Sequence, residues 1–109
     1  MRLAGGTYPG QGRVEIYLNS LWGTVCDDGW GIEEALVVCR QLGFFGADNA
    51  YGNARYGEGI GPIHLDDVRC IGSEARLAQC SHIGVGNHNC AHFEDAGVAC
   101  SRSGTKNYF

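Results

Sequence analysis

The sequence lacks the features by which several large classes of protein are recognised. No run of apolar residues is long enough to span a membrane, so this part of the chain is not expected to insert into one. There is no Gly-x-Ser-x-Gly nucleophile motif, no Cys-x-x-Cys pair and no Asn-x-Ser/Thr sequon. A signal peptide is also missing, because Met1-Arg2-Leu3 leads directly into small, uncharged residues.

Basic residues are few as well. The 8 Lys and Arg are outnumbered by 12 Asp and Glu, and the net charge of −4 argues against nucleic acid as the primary partner. Only Lys106 is a lysine; the others are arginines, which make forked contacts with carboxylates, phosphates and sulfates. Arg55, Arg69 and Arg76 are candidates for a local patch that binds polyanions. The alternative is that they are ordinary solvated arginines.

Cysteine and glycine, by contrast, are abundant. The 6 cysteines of this 109-residue chain are most simply explained by three disulfides. Disulfides persist outside the reducing cytosol, so the chain is expected to be extracellular, in a secreted protein or a receptor ectodomain. Without a signal peptide of its own, it is expected to be a piece of a longer protein. The 18 glycines indicate a fold rich in loops and tight turns.

The spacing of apolar residues predicts a hairpin followed by a helix. Apolar and polar residues alternate over 13–18, which is typical of a half-buried strand. A turn at residues 19–20 and a return strand over 21–26 complete the hairpin. The apolar residues then take a helical period over 32–42, and Gly43 is placed to end that helix.

The remaining segments carry weaker signals. Residues 44–61 contain several glycines and no clear period, which predicts a long loop. A short second helix is expected over 74–80 and a last strand over 96–100. Few strands, one good helix and three disulfides predict a small α+β domain over residues 2–101. Residues 102–109 are expected to be a linker, a tail or a cloning remnant.

Several longer stretches together resemble one known family. They are GRVEI at residues 12–16, WGTVCDDGW at 22–30, VVCRQLG at 37–43, GPIHLDDVRC at 61–70 and EDAGV at 94–98. With the order and spacing of the cysteines, they resemble the scavenger receptor cysteine-rich (SRCR) family over nearly the whole domain. The resemblance implies a small disulfide-rich fold in which a curved antiparallel β-sheet cradles one α-helix.

The resemblance also implies how the cysteines pair, which six cysteines alone leave open. The implied disulfides are Cys26–Cys90, Cys39–Cys100 and Cys70–Cys80. A second branch of the family has two further cysteines, expected here near Pro9 and near Phe44, and this chain has neither. The chain therefore resembles the six-cysteine branch, group A.

Asp27, Asp28 and Glu94 are the sharpest candidates for a binding site. If Cys26 and Cys90 are bonded, the disulfide draws these three carboxylates into one neighbourhood. Clustered carboxylates repel one another unless a cation or protons intervene, and their hard oxygens suit calcium or magnesium. The resemblance implies a calcium site at these positions. The alternative is that Asp27 and Asp28 cap a turn or pair with arginines.

A second cation site is implied by the resemblance at Asp66 and Asn89. The further acid expected near the end of the helix is missing, and Asp67 or Asp48 are the candidates to replace it. The alternative is that Asp66 bends its strand and that Asn89 bonds to the backbone.

A zinc site at His88, Cys90 and His92 is disfavoured, because a disulfide removes the thiolate that zinc requires. His88 and His92 are expected to be surface or hydrogen-bonded residues, with pH sensing as their alternative role.

These features predict an extracellular binding module that uses calcium to hold a protein or polyanionic ligand. Trp30, beside the acidic pair, is a candidate partner anchor, with core packing as its alternative. The second hypothesis is a structural or assembly module that spaces or dimerises a larger protein without metal. Catalysis is not expected, because neither a nucleophile motif nor a free thiol is present and adjacent strand residues such as Asp27 and Asp28 point apart.

Overall fold

The computed structural model describes residues 1–101, and the predicted linker or tail at 102–109 lies outside the described residues. The elements are β1 (Arg2–Gly5), β2 (Gln11–Leu18), β3 (Leu21–Val25), α1 (Ile32–Gln41), β4 (Gly46–Tyr51), β5 (Ile63–Leu65) and β6 (Gly97–Ser101). Two 3₁₀ turns occur at Leu77–Gln79 and His92–Glu94. The predicted α+β fold, a sheet with one helix, is confirmed. No helix in residues 1–101 has the length and apolar character needed to cross a membrane.

The sheet is mixed, where the resemblance implied an antiparallel one. Its strands follow the order β4-β6-β2-β3-β5, and β1 also pairs with β2. Every pair is antiparallel except β3 with β5, which is parallel. The physical reason is the connection between these two strands. A parallel pair needs a long crossover, and α1, β4 and the following loop provide it.

The predicted hairpin is confirmed as β2 and β3. Asn19 (φ 53°) and Ser20 (φ 65°) both have left-handed backbones, as a two-residue type I′ turn requires. Val14 and Ile16 are buried in the core, while Tyr17, the next residue along β2, is exposed. This alternation gives the sheet one face that packs under the helix and one face that is partly open.

The predicted helix is confirmed as α1, which packs against β4 and β6. Its buried face includes Ala35, Val38 and Cys39. Gly43 (φ +91°) ends the helix in the left-handed conformation, and Phe44 N then donates to Cys39 O at 2.9 Å. The helix therefore stops where glycine first allows the chain to turn back toward the sheet.

Two local predictions were wrong. Residues 44–61, expected to be a loop, contain the edge strand β4, which pairs through its backbone with β6 and has no apolar alternation. The helix expected over 74–80 is only the 3₁₀ turn Leu77–Gln79. A 10-residue loop closed by the Cys70–Cys80 disulfide leaves no room for a longer helix.

Three disulfides hold the described chain together, and they are the pairs that the resemblance implies: Cys26–Cys90, Cys39–Cys100 and Cys70–Cys80. The second of them joins α1 to β6 through the middle of the core, and the first joins the end of β3 to the segment before β6. A domain of this size buries only a modest core, and each disulfide typically adds about 2–4 kcal/mol of stability.

The start of the helix is clamped to a distant loop by Glu34, a carboxylate that is only 5% exposed. Its Oε1 accepts a hydrogen bond from Gly31 N at 2.8 Å, and its Oε2 accepts one from Cys70 N at 2.7 Å. One buried side chain therefore satisfies a free N–H at the helix N-terminus and fixes the entry of the Cys70–Cys80 loop.

We expect Glu34→Gln to lower the free energy of unfolding by about 1–3 kcal/mol, because the new amide group would face an N–H donor instead of accepting from it. Urea denaturation measures this change. Glu33→Gln is the matched control, since Glu33 lies in the same helical turn but is exposed. Equal stability of the two variants would contradict the role assigned to Glu34.

A second buried carboxylate, Glu15, joins two arginines. Arg2 Nε donates to its Oε1 at 2.7 Å, and Arg13 donates to its Oε2 at 2.9 Å. Burial by itself would raise the pKa of Glu15, but the two guanidinium groups outweigh it and lower the pKa below its ordinary value of 4.5. Arg13 Nη1 also donates to Gly57 O at 3.2 Å, so the same network holds the loop after β4.

This lowered pKa predicts an acid-sensitive contribution to stability. A carboxyl whose pKa is lower in the folded state stabilises the fold above its unfolded pKa, and this stabilisation is lost as pH falls through the folded pKa. We expect Glu15→Gln to be about 1–3 kcal/mol less stable than the parent at neutral pH, with the gap narrowing in acid. Unfolding curves across this pH range measure the gap, and a constant gap would rule the explanation out.

Candidate metal centre

The predicted ligands Asp27 and Asp28 lie in a turn that follows β3. Trp30 N donates to Asp27 O at 2.9 Å and closes the turn, and Gly29 (φ +77°) supplies the left-handed residue that it needs. Asp27 N donates to Glu94 O at 2.9 Å, which ties this turn to the segment that carries the third predicted ligand. Backbone bonds, together with the Cys26–Cys90 disulfide, therefore hold the two segments side by side.

Asp28 is the centre of a cluster of five carboxylates, the Asp28 cluster, formed by Asp27, Asp28, Asp66, Asp67 and Glu94. Carboxylate oxygens of Asp28 and Glu94 lie within 4.8 Å of one another, and those of Asp28, Asp66 and Asp67 form a second group with the same limit. Burial, followed by the charges of Asp66, Glu94, Asp27 and Asp67, raises the pKa of Asp28. Asp28 is thus the one carboxylate shared by both groups.

Asp27 has, through one oxygen, the alternative role stated from the sequence, because its side chain caps a turn. Its Oδ2 accepts a hydrogen bond from Asn53 N at 2.7 Å, and Gly52 lies so close that an added Cβ would come within 2.6 Å of the same oxygen. One oxygen of Asp27 therefore holds the turn at residues 52–55. The other oxygen accepts no hydrogen bond from residues 1–101.

Asp66 and Asn89, the ligands predicted for a second site, also lie together. Asp66 is fully buried, its Oδ1 accepts from Asp67 N at 2.7 Å, and its Oδ2 has only a long contact of 3.4 Å with Asn89 N. The carboxamide of Asn89 lies between Asp28 and Asp66. With its nitrogen turned toward them, it donates to Asp28 Oδ2 at 3.2 Å and to Asp66 Oδ2 at 3.3 Å.

The second site lacks the acid expected near the end of the helix, and one other carboxylate can take its place. Asp67 joins Asp28 and Asp66, whereas Asp48 lies in β4 and accepts a hydrogen bond from the Ser101 hydroxyl at 2.7 Å. Of the two candidates named from the sequence, only Asp67 stands in the Asp28 cluster. Asp67 has a left-handed backbone (φ 51°), which turns the chain at the end of β5.

The available donors are oxygens and not thiolates. The sulfurs of Cys26 and Cys90 lie in the same group as Asp28 and Glu94, but they are bonded to each other. Cys90 is therefore half of a disulfide, as predicted, and offers no thiolate to a zinc ion. Carboxylate and carboxamide oxygens fit a hard cation such as calcium or magnesium.

Both ring nitrogens of His92 have hydrogen-bond partners. Its Nδ1 lies 2.9 Å from Asp95 Oδ2, and its Nε2 lies 2.9 Å from Gly61 O. Burial alone would lower the pKa of His92, but the Asp95 carboxylate and the Gly61 carbonyl raise it above its ordinary value. Asp95 is almost fully buried and also accepts from Gly59 N at 2.7 Å. This pair anchors residues 59–61 and has no nitrogen free for a ligand.

None of the three candidate arginines forms an ion pair within residues 1–101. The guanidinium of Arg55 lies over the ring of Tyr51, 4.1 Å from its centroid. Arg69 stands beside Gly29, where an added Cβ would lie 3.8 Å from Arg69 Cζ. Arg69 therefore lies beside the turn that carries Asp28, Arg55 belongs to the turn at residues 52–55 that Asp27 holds, and Arg76 lies in the Cys70–Cys80 loop.

Trp30, the candidate partner anchor, is used by the fold. Its Nε1 donates to Gly97 O at 3.0 Å, and its ring is partly buried against the core. Two large apolar side chains are more exposed than Trp30, Ile60 (88%) and Phe93 (61%), and the sequence predicts a role for neither. No apolar periodicity marks them, since both lie in segments without strand or helix patterning.

Comparisons with known proteins agree on one family. The family model of the scavenger receptor cysteine-rich domain matches residues 4–101. A "Scavenger receptor cysteine-rich domain superfamily protein" of Patiria pectinifera is 52% identical over 101 residues, which is 93% of this chain and 9% of that protein. The chain therefore spans about a tenth of the length of this relative.

Comparison with solved structures indicates the same family. The third SRCR domain of murine neurotrypsin is 52% identical, with a TM-score of 0.85 over 91% of this chain and 92% of that one. The dimeric form of the SRCR domain of mouse MARCO is 50% identical, with a TM-score of 0.79 over 93% and 94%. With three disulfides in the pattern of the six-cysteine type, this chain belongs to the scavenger receptor cysteine-rich family.

Proposed function

We propose that this chain is an extracellular ligand-binding module in which calcium, held by the Asp28 cluster, helps to grip a protein or polyanionic ligand. SRCR domains are extracellular ligand-binding modules of receptors, and the chain belongs to that family. The observation that carries the calcium part is the convergence of four other carboxylates on Asp28. Three of them have an oxygen within 4.8 Å of an Asp28 oxygen, and one of these three, Asp66, has no exposed surface.

The electrostatics of the cluster favour a bound cation. Like charges held within 4.8 Å of one another repel strongly, and burying a carboxylate without a charge partner is costly. No arginine or lysine of residues 1–101 forms an ion pair with Asp28, Asp66 or Glu94. A divalent cation supplies the missing positive charge and keeps coordination positions that an acidic or sulfated ligand can fill.

The residues divide into two neighbouring sets. Asp28 and Glu94 form the first set, and the charge of Asp27 acts on Asp28 from beside it. Asp28, Asp66 and Asp67 form the second, to which Asn89 adds an oxygen if its carboxamide turns over. The carboxamide thus suits both states of the site: its nitrogen bridges the carboxylates by hydrogen bonds, and its oxygen coordinates a cation.

The arginines beside the turn favour an anionic ligand. Arg69 lies beside Gly29, Arg55 belongs to the turn at residues 52–55 that Asp27 holds, and neither has a carboxylate partner within residues 1–101. Guanidinium groups make paired hydrogen bonds with sulfates and carboxylates, and stacking on Tyr51 holds Arg55 in place. A ligand with several negative groups can contact the cation and an arginine together.

Catalysis is not part of this proposal. The family is a non-enzymatic receptor-type module. Within residues 1–101, both ring nitrogens of His92 are engaged and all six cysteines are disulfide-bonded, so neither offers a base or a nucleophile.

The second candidate function is an assembly module that self-associates. It is suggested by the MARCO relative, whose SRCR domain has a dimeric form. Sedimentation with and without calcium separates the two functions. A dimer that forms equally well in chelator favours assembly without metal, and a monomer in both conditions favours the ligand-binding module.

We expect calorimetric titration of calcium into the oxidised domain to show binding at about 10⁻⁴–10⁻³ M, the range of many extracellular modules. Asp28→Ala should abolish it, because both sets lose their shared charge. Asp48→Ala is the matched control, since it removes one carboxylate outside the Asp28 cluster. Calcium should also raise the Tm of the parent and of Asp48→Ala but not of Asp28→Ala. If the parent gives no heat and no Tm shift, the calcium proposal is wrong.

For the ligand, we expect the domain to bind immobilised dextran sulfate in calcium. Arg55→Ala and Arg69→Ala should each weaken binding about tenfold, since each removes a charge-assisted hydrogen bond of about 1.5 kcal/mol or more. Arg76→Ala removes the same charge from the Cys70–Cys80 loop and is the control. Equal losses in all three variants would mean that net charge alone, and not a site at the turn, governs binding.

A further inference from the structure

Asp28 is the one aspartate of this chain that is followed by glycine. We propose that the Asp28-Gly29 peptide is a site of spontaneous aspartate isomerisation, and that a cation in the Asp28 cluster suppresses the reaction. The second half of this statement rests on the proposed function, and the first half does not. The modification would convert the central ligand of the cluster into isoaspartate.

The reaction needs nothing but water. The amide nitrogen of Gly29 attacks Cγ of Asp28, a new C–N bond forms, and the carboxyl oxygen leaves as water while the amide proton is lost. The product is a five-membered succinimide. Water then opens the ring, and opening at the main-chain carbonyl of Asp28 leaves a backbone that runs through Cβ and Cγ. One water leaves and one returns, so the mass is unchanged and no oxidant is involved.

The structure leaves the reacting groups available. Within residues 1–101, Gly29 N–H donates to no acceptor, and the carboxylate of Asp28 accepts only from the Asn89 carboxamide, through Oδ2 at 3.2 Å, which leaves its Oδ1 without a donor. Gly29 is exposed and has no Cβ to hinder attack. Asp28 lies at the tip of a turn that is closed by one backbone hydrogen bond, from Trp30 N to Asp27 O. Rearrangement of that turn breaks no strand or helix.

The other aspartates of the site are protected in ways that Asp28 is not. Asp27 is held by Asn53 N, and Asp95 is almost fully buried and bonded to His92. Asp66 has no exposed surface. Each of them precedes a residue that carries a Cβ, which slows attack by the amide nitrogen. They therefore serve as internal references for Asp28.

Isomerisation would have a large effect on the Asp28 cluster. It adds one carbon to the main chain and moves the free carboxylate to a shorter branch, so both ligand sets lose their shared oxygen donor. A cation that coordinates Asp28 holds its carboxylate as a poor leaving group and fixes the turn. Asp28 should therefore isomerise slowly when the site holds a cation. When the site is empty, isomerisation should remove its ability to bind one.

The test is to incubate the oxidised domain at body temperature and neutral pH, in calcium or in chelator, and then to map isoaspartate by peptide separation and mass spectrometry. We expect a several-fold excess of isoaspartate at residue 28 over residues 27, 66 and 95 in chelator, and a several-fold lower rate in calcium. Asp28→Glu is the chemical control, because its longer side chain cannot close a five-membered ring with Gly29, and it should show no modified residue 28.

The outcomes separate the two halves of the proposal. No excess at residue 28 in chelator would overturn it. An excess that calcium does not reduce, in a domain that binds calcium by calorimetry, would overturn the protective role of the cation. If calorimetry shows no binding at all, the calcium site fails and isomerisation at Asp28 stands alone.

Discussion

The Cys26–Cys90 disulfide is the constraint on which the functional end of this domain depends. It joins the end of β3 to the segment before β6 across 64 residues of sequence. On one side of the bond stand Asp27 and Asp28, and on the other stand Asn89 and Glu94. Carboxylates that repel one another do not gather by themselves. Here a covalent bond and the backbone pairing of neighbouring strands hold them together, and a cation then has a site ready to occupy.

Much of the scaffold could be predicted because its signals are local. The hairpin follows from alternation around a two-residue turn, and α1 follows from a helical period that ends at Gly43. β4 could not be predicted in this way, because an edge strand held by backbone pairing needs no apolar side chains in alternation. The parallel pairing of β3 with β5 is likewise a property of the whole chain path and not of either segment.

The candidate site was predictable in composition but not in arrangement. The acidic residues and the cysteines beside them are visible in the sequence, and the family resemblance implies which of them belong together. What the sequence does not contain is the tertiary bond from Asn53 N to Asp27, made between residues 26 apart. It also does not reveal that Asp66 is fully buried, which makes its negative charge energetically costly. Asp28 as the carboxylate shared by two sets emerges only from these contacts.

The bond between Asp27 and the turn at residues 52–55 has a consequence for how the domain can be retargeted. Asp27 binds this turn through a main-chain N–H, and the side chains at 53 and 55 form no hydrogen bond or ion pair with that carboxylate. The grip therefore does not depend on what those side chains are, provided that residue 53 accepts a left-handed backbone. An engineer could vary residues 53 and 55 to change the preferred ligand, while the cation site and the fold beneath it stay as they are.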